Sequence, residues 1–541
     1  MASASADAQG SAATSYPATP WLKWAVIGLI GLVNLYAVTL MYIQGETIFA
    51  LVTLILVATG LYVFAAERTY VQRYIFPGVA TMFIFIVFPL AYTVWIGFTN
   101  FSATNILTFE RARDYQLAQS FQIEGQSFEF ALYGVGTHTY RLALTAKTGE
   151  VFLSPAVELR VPDAKAGATS AGTAPIEIDL EPAAALPEGP PVPLKDLVRL
   201  RGVIQDVRAH LPDQTDLRMS GLRQFSAIRP LYQVLPSAQG GDGLILVNQQ
   251  TKGRIAPDLS TGFYRALTSD GEFTGPGIAP GFSVFVGWKN FLRVLTDPGV
   301  QGPFLQIFGW TLTFSLLSVI FTLAIGMVLA ALVQWEGLAG RGLYRLLLIL
   351  PYAVPAFISI LVFRGLFNQN FGEINTLLSQ LFGIKPAWFN DPTLARTMLL
   401  IVNTWLGYPY MMILCMGLLK AIPSDLYEAS AMDGSNFIRD FFSITVPLLM
   451  KPLTPLLIAS FAFNFNNFVL VQLLTKGRPD IIGAQTPAGT TDLLVTYTYR
   501  IAFEGSGQDY GLASAIATLI FIMVGVLALI NIKIMRVDRP A

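Results

Sequence analysis

The chain has 541 residues, 53% hydrophobic and 13% charged, with 35 basic and 35 acidic side chains and a formal net charge of zero. A soluble domain carries about 25% charged residues, so roughly half the usual charge is missing, and the even balance offers no footprint for nucleic acid. One cysteine, Cys415, excludes an intrachain disulfide or a Cys-rich metal site, and two distant histidines, His138 and His210, offer no metal or catalytic cluster.

A helix crosses a bilayer with about 20 apolar residues. Apolar runs of that order, free of charge, recur at 24–43, 47–66, 74–98, 304–333, 346–363, 397–419, 452–475 and 510–532, which predicts eight spans. Residues 1–20 read as a cytoplasmic tail, and Gln44, Gly45 and Glu46 as a tight turn between the first two spans. An even number of spans puts both ends on one side. A cytoplasmic placement leaves Lys23, Arg68, Arg73, Arg341, Arg345, Lys420, Arg439 and Lys451 inside, a modest positive-inside bias.

The expected organisation is a tail at 1–20, three spans within 21–98, an external domain at 99–303, a five-span core at 304–535 and a tail at 536–541. Within the external domain, alternation at 140–145 and 151–161 predicts strands. Leu194, Leu197, Val198, Val203, Ile204 and Val207 recur at helical spacing, and the Ala/Gly/Pro-rich stretch 163–193 reads as a loose linker. The domain carries no acid–base pair or nucleophile motif, so its expected work is contact with another protein.

No Gly-Lys dipeptide occurs, so the chain lacks the phosphate-cradling loop G-x-x-x-x-G-K-[ST]. In the sixth span, Pro409 beside Gly407 predicts a kink or local unwinding. In the seventh, Phe463, Asn464 and Asn467 are related by i+1 and i+4 and share one side of a helix. Asparagines are costly in lipid, so these face protein or a water-filled cavity. Amides that donate and accept, set beside aromatic rings, suit an uncharged sugar, although they would equally serve to bond neighbouring helices. The spans contain no Asp, Glu or His, which argues against a proton-driven carrier. Eight spans also exceed what a membrane-anchored enzyme or sensor needs.

Between spans six and seven, Ser424 or Asp425 is placed to cap a short helix with Leu426, Ala429 and Met432 along one face. Glu428-Ala429-Ser430, Gly434 six residues after the glutamate, Ile444 and Pro447 resemble the EAA signature of ABC-importer permeases, the family of binding-protein-dependent transport system inner-membrane components. Ser430 and Val446 are mild departures from it. The resemblance implies a type I permease core, a large periplasmic α+β loop domain in an otherwise all-α polytopic protein, and a coupling helix near 424–438. Glu428, Ala429, Ser430, Asp433 and Gly434 would there meet an ATPase subunit.

The stretches 350–355, 403–412, 427–434 and 464–475 are similar to the maltose/maltodextrin branch of that family. The resemblance implies sugar contacts at Asn403, Leu406, Gly407, Tyr410, Phe463, Asn464 and Asn467. It also implies a second permease, two ATPase subunits that hold ATP and Mg, and a periplasmic maltose-binding protein, all at a bacterial inner membrane. The chain itself would be a transport subunit with no cofactor and no hydrolytic activity. A different oligosaccharide as solute stays open.

Overall fold

The computed structural model describes residues 20–136, 138–159, 176–213, 215–221, 223–236, 243–335, 337–505 and 507–537. Nearly all of the expected amino-terminal tail, most of the carboxy-terminal one and residues 163–175 of the expected linker lie outside the described residues.

The chain divides into two units, 1–96 and 97–541. In the first, Pro20–Ile43 and Thr47–Ala65 form a helical hairpin closed by Glu46 N–H donating to the Met41 carbonyl. A third helix begins as Gln72–Met82, passes through a wider π-wound stretch at Phe83–Val87 and continues as Phe88–Gly97. The cause lies in Pro89, which has no N–H to offer the carbonyl four residues back, inside that stretch.

The second unit contains the external domain and the remaining spans. A nine-stranded sheet is centred on Ser120–Gly136, antiparallel to Thr139–Ala146 on one side and Gln224–Pro230 on the other. The helix Leu194–Gln205 buries Leu197, Leu200 and Ile204 in the core of this sheet, beside Phe130, Leu144 and Phe225. Val207, expected on that helix, opens the next strand instead. The expected linker is also corrected in its second half. Ile176–Asp179 runs parallel to Val207–His210, and Glu181–Ala183 pairs with Val151–Leu153. Ile178 and Leu180 are buried there, so apolar alternation outweighs the flanking Ala and Pro. A second, five-stranded antiparallel sheet spans 232–278 and packs Tyr264 and Ile255 against Phe282 and Ala112.

Among the described residues, seven helices are long and apolar enough to cross a membrane, or eight if one bent pair counts as a span. That pair corrects the expected fifth span. Arg341–Ala353 and Ala356–Leu366 meet at 91°, and neither limb reaches the length of a crossing helix. Pro355 forces the bend, because the residue before a proline is pushed out of the helical region. Val354 accordingly sits at φ −85°, ψ 131°.

The sixth span, Pro392–Leu419, runs unbroken through Pro409, contrary to the expected unwinding. Its packing explains why one lost hydrogen bond is tolerated. Tyr408, Pro409, Met411 and Met412 are buried, and the fourth span, Pro298–Gln334, lies close alongside. A methyl group added at Gly326 would sit 2.7 Å from Met411 Cβ, and one at Gly407 would sit 2.7 Å from Thr322 Cγ2. Small residues at these crossings let the backbones approach. The break falls in the seventh span instead. A π-wound stretch at Phe441–Thr445 precedes Pro447, and the helix Val446–Phe465 stops before a short helix, Phe468–Leu474.

Candidate functional site

Asn403, Leu406, Gly407 and Tyr410 recur at i, i+3, i+4 and i+7 on the sixth span and therefore form one stripe. Asn403 is 7% exposed and faces the break in the seventh span, where Asn464 is 6% exposed. Asn403 Nδ2 donates to Asn464 Oδ1 at 2.8 Å, and Asn467 Nδ2 donates to Asn403 Oδ1 at 3.1 Å. Asn464 Nδ2 donates to the Ser460 carbonyl at 2.9 Å, while Asn467 Oδ1 accepts the Leu470 N–H at 3.4 Å as the cap of the short helix. Three amides thus form a ladder across the break.

The structure therefore brings Asn403, Asn464 and Asn467 together, but not as the sequence predicts. Because the helix ends at Phe465, Asn467 does not share a helical face with Phe463 and Asn464. Phe463 is 72% exposed and Tyr410 40% exposed, so both rings are free to meet something outside this chain. Leu406 packs on the cluster of Val402, Leu470 and Leu474, which anchors the stripe from behind. Each amide carries two N–H donors and an acceptor oxygen with two lone pairs, so the ladder leaves part of that capacity unused. Such a site is equipped for hydroxyl groups next to an aromatic face. Sequence reasoning missed the Ser460 carbonyl and the helix break, although the run Asn464-Phe-Asn-Asn is a signal for a helix end.

The second candidate region is the helix Ser424–Met432. Neither Ser424 nor Asp425 caps it. Pro423 holds that position, and no side chain bonds the first turn. Glu428, Ala429, Asp433 and Gly434 are exposed, as are Leu426 and Met432, the latter at 89%. The apolar face is therefore presented outward without a partner in this chain. Gly434 adopts φ +76°, a left-handed conformation that ends the helix and that few side chains tolerate.

Ser430 has a structural task that explains its presence where the signature carries alanine. Its Oγ donates to Asp440 Oδ1 at 2.6 Å, and Ser435 Oγ reaches the same oxygen. Tyr427 and Thr445 share a hydroxyl–hydroxyl bond of 2.9 Å. The exposed helix is thus tied to the start of the seventh span.

A third polar cluster, unforeseen from sequence, lies between the seventh and eighth spans. Arg500 is 5% exposed and pairs with Asp492 at 2.8 Å, Asp480 at 2.6 Å and Glu504 at 3.1 Å. Asp492, fully buried, also accepts from Gly489 N–H and Thr496 Oγ1. Arg396 of the sixth span donates to the Thr490 carbonyl and lies over the Trp310 ring. No group of three or more metal-ligating side chains occurs among the described residues.

Residues 21–68 match the family described as MalF, N-terminal region, transmembrane helices, and residues 107–287 match the maltose transport system permease protein MalF P2 domain. Residues 322–536 match the binding-protein-dependent transport system inner membrane component. The chain is 57% identical over 519 residues to a maltose/maltodextrin transport system permease protein MalF of Yersinia pestis, covering 96% of this chain and 94% of that protein. It is 57% identical over 517 residues to the protein of that name from Escherichia coli (strain K12), covering 95% and 96%. A solved bacterial ABC transporter involved in the import of the acidic polysaccharide alginate is similar over 47% of this chain and 85% of that one, at 20% identity and a TM-score of 0.39.

Proposed function

The chain belongs to the MalF family of binding-protein-dependent importer permeases, and from that premise we propose that it passes maltose and longer maltodextrins across a bacterial inner membrane. It is a transport subunit with an ABC-importer membrane core and a large periplasmic β-rich domain. The observation that carries the sugar reading is the amide ladder of Asn403, Asn464 and Asn467 beside the exposed rings of Tyr410 and Phe463.

In this reading the sugar packs an apolar CH face on Phe463 and Tyr410, while its hydroxyls exchange hydrogen bonds with the three amides. Leu406 and Gly407 complete the wall. Gly407 keeps the sixth span against the fourth, and a side chain there would push Asn403 out of line. A break in a membrane helix is a usual place for such a site.

The solute arrives from a periplasmic maltose-binding protein docked on the external domain. It passes between this chain and a second, MalG-type permease. Two MalK-type ATPase subunits hold ATP and Mg and perform the hydrolysis, and this chain binds no cofactor. Their closure reaches the membrane through Glu428, Ala429, Ser430, Asp433 and Gly434. The Ser430–Asp440 tie supports rigid transmission from that helix to the seventh span. Both termini lie in the cytoplasm, with the domain limits given above.

The test is stimulation of ATP hydrolysis in the reconstituted importer by sugar-loaded binding protein. Stimulation and uptake with maltose support the reading. Response to another loaded sugar-binding protein, with none to maltose, rejects the solute while keeping the importer. Glu428→Lys is expected to uncouple hydrolysis from uptake by reversing charge on the docking helix. Full coupled activity in that variant rejects the coupling assignment.

A further inference from the structure

The first three helices hold a feature that sugar transport does not use. Between residues 20 and 96 the charged side chains are Lys23, Glu46, Glu67, Arg68 and Arg73. Lys23 and Arg73 converge on one helix end. Lys23 Nζ donates to the Ala65 carbonyl at 3.2 Å, and Arg73 donates through Nε to Val63 at 3.2 Å and through Nη2 to Ala66 at 2.8 Å. The last carbonyls of a helix carry its negative dipole end, which draws both cations to the same turn. An ammonium has three N–H donors and a guanidinium five, so each cation retains donors beyond those it gives to the carbonyls.

A groove of about 760 Å³ runs between the three helices from this pair of cations. Leu22, Val26 and Ile30, four residues apart, form one wall. Gly60 of the second helix and Phe76 and Ala80 of the third form the floor. Gly60 leaves the space open, since an added methyl group would stand 3.0 Å from the Phe76 ring. Apart from the two cations, these walls are apolar.

We propose that this groove seats an anionic phospholipid, its acyl chain along Leu22, Val26 and Ile30 and its phosphate between Lys23 and Arg73. Charge complementarity selects the occupant. A helix of a partner subunit would fill the apolar length but bring no anion to two cations. A phospholipid supplies both on one molecule, and clustered basic residues at the end of membrane helices favour anionic headgroups. The proposal holds whichever solute is carried.

The experiment is native mass spectrometry of the assembled importer released from nanodiscs of phosphatidylethanolamine mixed with phosphatidylglycerol. The wild-type complex is expected to retain phosphatidylglycerol in preference to phosphatidylethanolamine. Each cation near an anionic lipid counts for about fivefold, so Lys23→Gln with Arg73→Gln is expected to lower that retention on the order of 30-fold. Basal ATP hydrolysis should stay unchanged. Lys23→Arg should keep the lipid, and Ala80→Phe, which fills the groove without touching charge, should lose it.

Equal retention of the two lipids by the wild type overturns the proposal without any variant. So does undiminished phosphatidylglycerol retention in the double variant. A high-yield disulfide from Ile30→Cys to a cysteine on the companion permease would also overturn it, because the groove would then be covered by protein.

Discussion

Two buried polar clusters in this chain are built on opposite principles. The ladder of Asn403, Asn464 and Asn467 uses neutral amides at a break between helices, with two exposed rings beside it and bonding capacity to spare. The Arg500 cluster uses full charges, and its buried members have their partners within hydrogen-bond reach. Neutral dipoles exchange one partner for another at a cost of about 1 kcal/mol, whereas a buried charge stripped of its partner costs several. The first arrangement suits a surface that must receive and release a ligand. The second suits a scaffold that must not change. Removing one member from each should therefore give different failures.

The largest effect is expected at Arg500. Arg500→Ala leaves Asp492 buried and unpaired, which should destabilise the chain by about 3–5 kcal/mol and lower the yield of assembled complex. Thermal unfolding of the purified complex checks this, and an unshifted transition would remove the contrast between the clusters. Next comes acid. Burial of Asp258 is outweighed by hydrogen bonds from Ser260, Thr261 and Arg265, which bring its pKa from 3.8 down to about 2. A lowered carboxylate pKa gives stability that is complete above the unfolded value and lost as pH falls through the folded one. The five-stranded sheet should thus lose about 2 kcal/mol between pH 5 and pH 2. Hydrogen exchange in Arg254–Asp258, compared with Asp258→Asn, tests the sign: protection in the variant should change less with pH.

Asn464→Ala should act on function with assembly intact, reducing maltose uptake on the order of tenfold because it removes one of the proposed sugar contacts and Asn403 loses its acceptor. Normal uptake by a correctly assembled variant would reject the site. The smallest effect is expected for Ser430→Ala. Ser435 still holds Asp440, so coupled transport should fall by no more than about threefold. A total loss would show that Ser435 cannot hold Asp440 without Ser430.

Much of this was legible before folding. Hydrophobic runs located most of the spans, because burial in lipid selects residues one by one along a helix, but the fifth is a bent pair and the seventh, expected at 452–475, is the helix at 437–465. The helix at Leu194–Gln205 and the strand at Thr139–Ala146 followed from their periodicities. The spacing of Glu428, Gly434, Ile444 and Pro447 marked the segment that folds as the exposed helix Ser424–Met432 closed by Gly434, and no Gly-Lys dipeptide of a P-loop occurs. The seven expected sugar contacts were named, and three proved to be hydrogen-bonded to one another.

Tertiary structure alone decided which proline interrupts its helix. Pro409 is absorbed where Tyr408, Met411 and Met412 are packed, while Pro355, preceded by an extended Val354, turns the fifth span through 91°. It also decided which amide meets which, across 61 residues from Asn403 to Asn464, and it gathered Asp480, Asp492 and Glu504 around Arg500. The reason is range. Periodicity and proline chemistry act within a turn or two of chain, so a sequence displays them directly. The partner of a buried polar group is chosen by geometry between distant segments, and only the packed helices supply that.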